Sequence, residues 1–227
     1  MTNPRIIVAI DTFDPTEANA ILDQLDPKLC RIKIGSVVFN ALGKSFLKDV
    51  STRGFKIFLD LKLHDIPNTV HESILGFYDC SIDMLTVHLS GGEEMLKKAM
   101  LAGKSINAKV IGVSILTSLK ESDTLTLFSN SIHDQITNLF NLAKKVNLDG
   151  IVCSPLELEQ ANAVLDLNSI KITPGIRDID RKDDQIRTMN AKDAAEKGAT
   201  FLVIGRPITQ AQDISAALKT FSDSIEK

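Results

Sequence analysis

Residues 55–70 read FKIFLDLKLHDIPNTV, the most informative stretch of the chain for its architecture. It opens with a short continuous run of large apolar and β-branched residues, which predicts a strand buried on both faces in a parallel sheet covered by helices. Asp60 and Lys62 interrupt the end of the run two positions apart, so their side chains are expected on the same side of the strand. Asp65 follows, and Pro67 is placed to be the first residue of a helix.

The charges at the end of this strand have two interpretations. A lysine buried beside carboxylates costs several kcal/mol per ion unless each charge is paired. A structural ion pair meets that requirement, and so does a catalytic site that holds its charges for a reaction. Because Asp60, Lys62 and Asp65 converge just before a helix, the pattern favours chemistry.

Composition excludes several classes of function. The 227 residues, 44% of them hydrophobic, are enough to bury a substantial core. The net charge of −3 and the lack of a basic block argue against nucleic-acid binding. No apolar signal segment opens the sequence and no apolar run approaches the ~20 residues of a membrane span, so we expect a cytoplasmic protein that does not bind membranes.

The cysteines and histidines indicate neither disulfides nor a metal. Cys30, Cys80 and Cys153 lie far apart in apolar segments, which predicts reduced, buried thiols. The four histidines lack the short spacings of zinc ligands, so no metal site is expected.

Strand and helix signals alternate along the chain. Strands are predicted at 5–11, 30–35, from 55, 84–88, 109–116, 150–153, 170–173 and 201–204. Helices are predicted at 15–25, 36–52, 66–78, 91–102, 132–146, 156–165, 191–197 and 208–225, while 119–130 is predicted to be irregular.

Eight strands alternating with eight helices, without a linker, predict an α/β fold with a single domain covering residues 1–227, a small (β/α)8 barrel. A doubly wound open sheet is the alternative, but it usually carries a glycine-rich phosphate turn after its first strand. Here residues 10–13 read IDTF, which contains no glycine.

In such a barrel the active site lies at the carboxyl ends of the strands. The side chains expected there are Asp11, Lys33, Asp60, Lys62, His88, Thr117, Ser154, Arg177 and Arg206. Two lysines and two aspartates follow the first three strands, and alternating signs would keep all four ionised despite burial. A network of this kind is preorganised for a substrate whose charge moves during reaction. His88 is expected to be structural and not catalytic.

An anion site is predicted where the eighth strand ends. Gly205 lets the backbone approach a ligand, and Arg206 can bind an oxyanion through two hydrogen bonds. The charged loop 175–188, with Arg177 at its base, is interpreted as a lid over the same anion. The alternatives are a solvated arginine and a solvated surface loop.

The motifs together resemble the bacterial type of orotidine 5′-phosphate decarboxylase over nearly the whole chain. They are VAID at 8–11, KIG at 33–35, DLKLHDIPNTV at 60–70, VHLSGG at 87–92, LTSL at 116–119, TPGIR at 173–177, DQ at 184–185 and VIGRPIT at 203–209. The D-x-K-x-x-D pattern alone is shared with related sugar-phosphate enzymes. Its extension through DIPNT, together with TPGIR and IGRPIT, is highly specific.

The resemblance implies decarboxylation of orotidine 5′-phosphate to uridine 5′-phosphate and CO2 in pyrimidine biosynthesis, with no cofactor or metal. It implies that Lys62 protonates C6 of the pyrimidine and that Asp60 lies beside the departing carboxylate. Lys33 would pair with Asp60 and touch the ribose, and Asp11 would bind the ribose hydroxyls.

The resemblance also implies a homodimer with active sites at the interface. Asp65 and Thr69 would reach into the neighbouring subunit's site, where Asp65 completes the charge network. Thr117 lies where the family reads the pyrimidine edge. The 5′-phosphate would be gripped by Gln185, Arg177, Gly205 and Arg206.

Three other functions remain open on the residues alone. A metal-dependent sugar-phosphate enzyme of the same superfamily would place a glutamate near the end of the second strand, where this chain has Lys33. A Schiff-base aldolase would use Lys62 as its nucleophile. A catalytically silent barrel would only bind a phosphate ligand.

Overall fold

The strands of the computed structural model, which describes residues 3–177 and 189–225, form a closed parallel barrel. Each strand pairs with the next in chain order, and the last pairs with the first. The strands are β1 (Ile6–Ile10), β2 (Cys30–Gly35), β3 (Ile57–Leu63), β4 (Ile82–His88), β5 (Lys109–Val113), β6 (Gly150–Val152), β7 (Ile170–Thr173) and β8 (Phe201–Ile204). The predicted (β/α)8 barrel is thereby confirmed, and the doubly wound open sheet is excluded.

Helices connect the strands around the outside of the barrel. They are α1 (Pro15–Leu22), α2 (Ser36–Thr52), α3 (Pro67–Leu75), α4 (Glu93–Ser105), α5 (Glu121–Phe128), α6 (Ile132–Lys145), α7 (Leu158–Val164), α8 (Ala191–Glu196), α9 (Arg206–Thr209) and α10 (Ile214–Ile225). Pro67 is the first residue of α3, as its position in the sequence predicts. No helix within the described ranges combines the length and apolar character that a membrane crossing requires.

The prediction of an irregular segment at 119–130 is wrong, because α5 lies within it. Its first turn is closed by the Asp123 carboxylate, which accepts a hydrogen bond from the backbone N–H of Lys120 at 2.8 Å. Thr124 is the buried residue of this helix, whereas Leu125 and Leu127 are exposed. Since its buried face is polar and its apolar side chains face water, the helix lacks the apolar periodicity by which helices are recognised.

Two apolar layers explain why the strands are hydrophobic at successive positions. Phe58, Met84, Phe201 and their neighbours fill the inside of the barrel, whereas the alternate residues of each strand pack against the helices. Parallel strands covered in this way are buried on both faces. The inner layer leaves room for polar side chains at the ends of the strands.

The amino-terminal end of the barrel is closed by Arg31. Its guanidinium lies 4.5 Å from the centroid of the Phe201 ring, pairs with Asp83 and donates to the carbonyl oxygen of Pro4 at 3.2 Å. Arg31 is buried, with 3% of its surface exposed. The carboxyl ends of the strands therefore form the open mouth of the barrel.

The three cysteines are free and buried, in agreement with their prediction as reduced, buried thiols. Burial, reinforced by the charge of Asp26, raises the pKa of the Cys30 thiol to about 12. Burial also raises the pKa of Cys153. Thiolates are the reactive form of cysteine, so these side chains act as small apolar groups.

Candidate active site

A cavity of about 270 Å³ opens at the carboxyl ends of the strands and collects most of the residues predicted for the site. Its polar wall consists of Asp11, Lys33, Asp60, Lys62, Thr117, Arg177, Gly205 and Arg206. Its apolar floor includes Ala9, Phe58, Val152 and Val203 from the inner layer of the barrel. Of the remaining predicted residues, Asp65 and Thr69 do not line the cavity, and Gln185 lies outside the described residues.

Four side chains in the cavity form a chain of alternating charges. The Lys62 Nζ donates to the Asp60 Oδ2 at 2.8 Å, and the Lys33 Nζ lies 3.7 Å from the same oxygen. Lys33 also donates to the Asp11 Oδ1 at 3.2 Å. The charges thus run Asp11, Lys33, Asp60 and Lys62 from one strand end to the next, and we call this set the ion cluster.

Asp60 is the buried member of the ion cluster, with 10% of its side chain exposed against 36% for Lys62 and 57% for Asp11. Burial raises the pKa of the Asp60 carboxyl, but the attraction of Lys33 and Lys62 and the hydrogen bonds from Lys62 and Thr86 outweigh burial. The net result is a pKa below the ordinary value for aspartate. Asp60 is therefore a carboxylate at neutral pH.

The strand that carries Lys62 is irregular at this point. Leu59 pairs with Leu85 and Leu63 with Val87, so that Asp60, Leu61 and Lys62 all lie opposite Thr86 alone. Lys62 has a φ of 51°, in the left-handed region that costs a residue with a side chain about 1–3 kcal/mol. The side chains of Asp60 and Lys62 do meet, but the strand that brings them together is bulged and not regular.

Sequence reasoning missed two residues that shape the ion cluster. The Thr86 hydroxyl donates to the Asp60 Oδ1 at 3.0 Å and accepts from the backbone N–H of Lys62 at 2.8 Å. A Cβ atom on Gly35 would lie 3.1 Å from the Lys33 Nζ, so glycine leaves room for the ammonium group. The available signal for Thr86 was a polar residue inside the apolar run MLTVH of β4.

The residues predicted to bind phosphate lie across the cavity from Lys62. Arg177 is buried, and its backbone N–H donates to the carbonyl oxygen of Met189 at 3.0 Å. The Met189 N–H in turn donates to the carbonyl oxygen of Gly175, whose φ of 79° suits glycine. These bonds connect Gly175 and Arg177 to Met189. Most of the predicted lid, residues 175–188, lies outside the described residues.

Gly205 and Arg206 lie where β8 gives way to α9, as the sequence predicts, but the predicted helix 208–225 is divided into α9 and α10. A Cβ atom on Gly205 would make only ordinary contacts with Ala9. Among residues 3–177 and 189–225, packing thus does not require glycine at this position, and the glycine keeps the cavity wall free of a side chain.

His88 does not line the cavity. Its ring lies 5.3 Å from the ring of His64, centroid to centroid. Burial, followed by the positive charges of His64 and Lys62, lowers the pKa of His88 against the opposing effect of Asp60. His88 is therefore a neutral, packed side chain at neutral pH.

Asp65 and Thr69 are exposed at the start of α3. The Asp65 Oδ1 accepts a hydrogen bond from the backbone N–H of Ile66 at 2.7 Å. Within the part of the chain that the structure describes, no ion pair joins Asp65 to another residue. Asp65 thus contributes nothing to the ion cluster of its own chain.

The donor set does not suit a metal ion. Among residues 3–177 and 189–225, no group of three or more histidine, cysteine, aspartate or glutamate side chains is arranged to hold one. Asp60 is flanked by two ammonium groups, which repel a divalent cation.

Comparison with known proteins gives a consistent family assignment. Residues 4–221 match the model of the orotidine 5′-phosphate decarboxylase / HUMPS family. The chain is 40% identical to the orotidine 5′-phosphate decarboxylase of Coxiella burnetii (strain RSA 493 / Nine Mile phase I), covering 99% of this chain and 98% of that protein. It is 42% identical to the enzyme of the same name from Actinobacillus pleuropneumoniae serotype 5b (strain L20), covering 97% and 98% of the two chains.

Solved structures agree with the sequence comparison. The crystal structure of orotidine 5′-phosphate decarboxylase from Lactobacillus acidophilus superposes with a TM-score of 0.87 at 32% identity. The alignment covers 99% of this chain and 100% of that one. The barrel fold is thus shared with that structure.

Replacing Asp60 by asparagine tests the electrostatics of the ion cluster. At neutral pH we expect a loss of about 2 kcal/mol in the free energy of unfolding, because Lys33 and Lys62 lose a buried counter-charge. The pKa of Asp60 is lowered on folding, so its stabilisation is present above the unfolded value near 4 and is lost as the pH falls through the folded value. Urea unfolding of both proteins between pH 3 and 7 measures this difference.

The matched control is Asp11→Asn, which removes an exposed carboxylate that contacts a single lysine. It should cost less than about 1 kcal/mol. If the stability gap between the parent protein and Asp60→Asn were the same at pH 3 as at pH 7, the assigned charge state of Asp60 would be wrong.

Proposed function

Given that this chain belongs to the orotidine 5′-phosphate decarboxylase / HUMPS family, we propose that it converts orotidine 5′-phosphate to uridine 5′-phosphate and CO2 in pyrimidine biosynthesis. The observation that carries this proposal is the ion cluster on the cavity wall, with Asp60 between the ammonium groups of Lys33 and Lys62. In this proposal the reaction uses neither a metal nor an organic cofactor, and the charges of the protein do the chemical work.

The matched family also includes the HUMPS proteins. The ion cluster therefore has to distinguish the proposed decarboxylase from the alternative functions. The metal-dependent sugar-phosphate enzymes considered above need a carboxylate near the end of the second strand, and Lys33 occupies that place. The Schiff-base alternative needs Lys62 to attack a carbonyl, whereas its Nζ is engaged in a hydrogen bond with the Asp60 carboxylate. The silent-barrel alternative gives no role to an ion cluster that is built around the buried Asp60 carboxylate on the cavity wall.

Decarboxylation breaks the bond between C6 and the carboxyl carbon and leaves the electron pair on C6. No ring carbonyl delocalises this pair well, so the carbanion needs an adjacent positive charge. The Lys62 ammonium, placed by Asp60 and the bulge in β3, supplies that charge and then transfers a proton from Nζ to C6. The amine left on Lys62 takes up a proton from solvent before the next turnover.

Asp60 holds the Lys62 ammonium in place and lies where the substrate carboxylate would dock. Its ionised state means that the departing carboxylate meets a negative charge in the ground state, while the transition state moves charge toward Lys62. Lys33 lies between Asp11 and Asp60 and is proposed to contact the ribose together with Asp11.

The nucleotide's 5′-phosphate is proposed to bind on the opposite wall. Arg177, Gly205 and Arg206 line the cavity there, and Gln185 is proposed to join them from segment 178–188. Thr117 also lines the cavity and is proposed to contact the pyrimidine edge. Binding energy from the remote phosphate can then be used to assemble the site around the reacting carbon.

We further propose that the active unit is a homodimer in the cytoplasm. Phe13, Val37 and Ile66 are exposed large apolar side chains that follow β1, β2 and β3, at the same end of the barrel as the cavity. Large apolar side chains exposed at one end of a fold favour a surface that another subunit covers. Asp65 and Thr69 lie close to Ile66 in the sequence, so in a symmetric dimer formed through this surface Asp65 of each subunit would reach the ion cluster of the other.

Release of CO2 from orotidine 5′-phosphate by the purified protein is the direct test of the proposed function. We expect turnover to be unchanged after incubation with excess EDTA, since the charges that act on the substrate belong to side chains. Loss of activity that is restored by a divalent cation would favour a metal-dependent enzyme. Binding of the nucleotide without release of CO2 would favour the silent barrel.

Lys62→Ala is expected to lower the single-turnover rate by about 10⁴-fold or more, because one group supplies both electrostatic stabilisation and the proton. Rapid-quench measurement of CO2 release gives this rate. Lys48→Ala, which removes an exposed lysine paired with Asp79, is the control and should leave the rate unchanged. A drop of less than about tenfold in Lys62→Ala would refute the assigned role.

Arg206→Ala is expected to impair the reaction of the full nucleotide far more than that of the nucleoside orotidine, which has no phosphate. The measurement compares kcat/KM of both substrates, with an expected loss of about 10²-fold or more for the nucleotide alone. Arg53→Ala, which removes a partly buried arginine that pairs with Asp23 and Asp49 and does not line the cavity, is the control. Equal losses for the two substrates would show that Arg206 does not act through the phosphate.

A further inference from the structure

Thr86 is a polar side chain on the inner face of β4, with 1% of its surface exposed. Its single hydroxyl group contacts two members of the ion cluster at once. It accepts a hydrogen bond from the backbone N–H of Lys62 at 2.8 Å and donates one to the Asp60 Oδ1 at 3.0 Å. None of the roles proposed above for substrate binding or catalysis includes this residue.

The hydrogen bond from the Lys62 backbone N–H to Thr86 takes the place of a regular backbone hydrogen bond between β3 and β4. Where Asp60, Leu61 and Lys62 bulge opposite Thr86, the backbone of β3 leaves the regular ladder between Leu59 and Leu63. A buried backbone N–H requires an acceptor. The Thr86 hydroxyl supplies it from the neighbouring strand and holds Lys62 in its left-handed conformation.

The contact with Asp60 determines which carboxylate oxygen faces the lysines. A hydroxyl has one proton to donate, and Thr86 directs it to Oδ1. The other oxygen, Oδ2, is then left to the ammonium groups of Lys62 at 2.8 Å and Lys33 at 3.7 Å. The orientation of the carboxylate and the conformation of the lysine backbone therefore depend on the same atom.

We propose that Thr86 is a positioning residue for the decarboxylation, which aligns the Lys62 ammonium with the reacting carbon through its hydrogen bonds to Lys62 and Asp60. The inference rests on the proposed function and extends it to a residue that is not expected to touch the substrate. A threonine that served packing alone would be replaceable by valine, which has the same shape.

The charged and titratable groups around Asp60 define what a pH measurement reports. Lys33 faces it from β2, Lys62 from its own strand, and His88 lies on β4 two residues beyond Thr86. Asp11 acts at longer range through Lys33. Removing the Thr86 hydroxyl leaves all of these charges in place, so a shift in the titration of Asp60 reports the lost hydrogen bond.

The experiment compares Thr86→Val, Thr86→Ser and Thr200→Val in the full-length protein. The Thr200 hydroxyl accepts a hydrogen bond from the backbone N–H of Lys171 at 3.0 Å. This bond resembles the one between Thr86 and Lys62, but it lies at the amino-terminal end of the barrel. Three quantities are measured, namely kcat for orotidine 5′-phosphate, the acid limb of the pH profile, and the hydrogen-exchange rate of the Lys62 amide by NMR.

We expect Thr86→Val to lower kcat by roughly 10- to 100-fold, to move the acid limb to higher pH, and to accelerate exchange of the Lys62 amide by about tenfold or more. The acid limb moves to higher pH because the hydrogen bond from Thr86 is one of the interactions that lower the pKa of the Asp60 carboxyl, and Thr86→Val removes it. Thr86→Ser keeps the hydroxyl and should stay within about threefold of the parent protein in kcat. Thr200→Val should change neither kcat nor the acid limb.

Unchanged kcat and an unchanged acid limb in Thr86→Val would overturn the proposal, as would an equal loss of kcat in Thr200→Val. If Thr86→Val does not fold, Thr86→Cys takes its place, since a thiol makes weaker hydrogen bonds and should shift all three quantities in the same direction. The amide exchange rate and a carboxyl NMR titration of Asp60 need no turnover. A parent protein that released no CO2 would refute the proposed function, while these two readouts would still test the role of Thr86.

Discussion

The structure of the site depends on one constraint, which is that the Asp60 carboxylate is both buried and ionised. A carboxylate removed from water without partners costs several kcal/mol. Lys33, Lys62 and Thr86 approach it from three consecutive strands and together more than offset that cost. The positions of both ammonium groups follow from this requirement, and so does the composition of the strand ends that carry them.

Meeting this constraint requires an irregular strand inside a regular barrel. The bulge in β3 and the left-handed backbone of Lys62 are unfavourable locally, and they persist because the apolar layers on both sides of the sheet hold the strands in place. The closed barrel thus serves as a rigid frame on which a strained segment is kept in one arrangement. Gly35 adds to this by leaving space for the Lys33 ammonium.

Much of this organisation could be predicted from the sequence, and the rest depends on contacts that local patterns do not encode. The alternation of strands and helices predicts the barrel, and the barrel in turn brings Lys33, Asp60 and Lys62 to one mouth. The bulge could not be foreseen, because it arises from the register between β3 and β4 and not from either strand alone. Helix α5 was missed because its buried residue is Thr124 and its leucines face water. The catalytic and binding roles of all the site residues remain predictions. Gln185 in addition lies outside the described residues, and the role of Asp65 requires a neighbouring subunit.

Arg31 occupies the amino-terminal end of the barrel, so the cavity is open only at the carboxyl ends of the described strands. Its guanidinium, stacked on Phe201 beneath the inner apolar layer, leaves no passage through the axis of the described barrel. The substrate therefore has to enter, and both products have to leave, through the mouth of the cavity. The packed interior of the barrel therefore makes the cavity at the carboxyl ends of the strands the shared route for the nucleotide and for CO2.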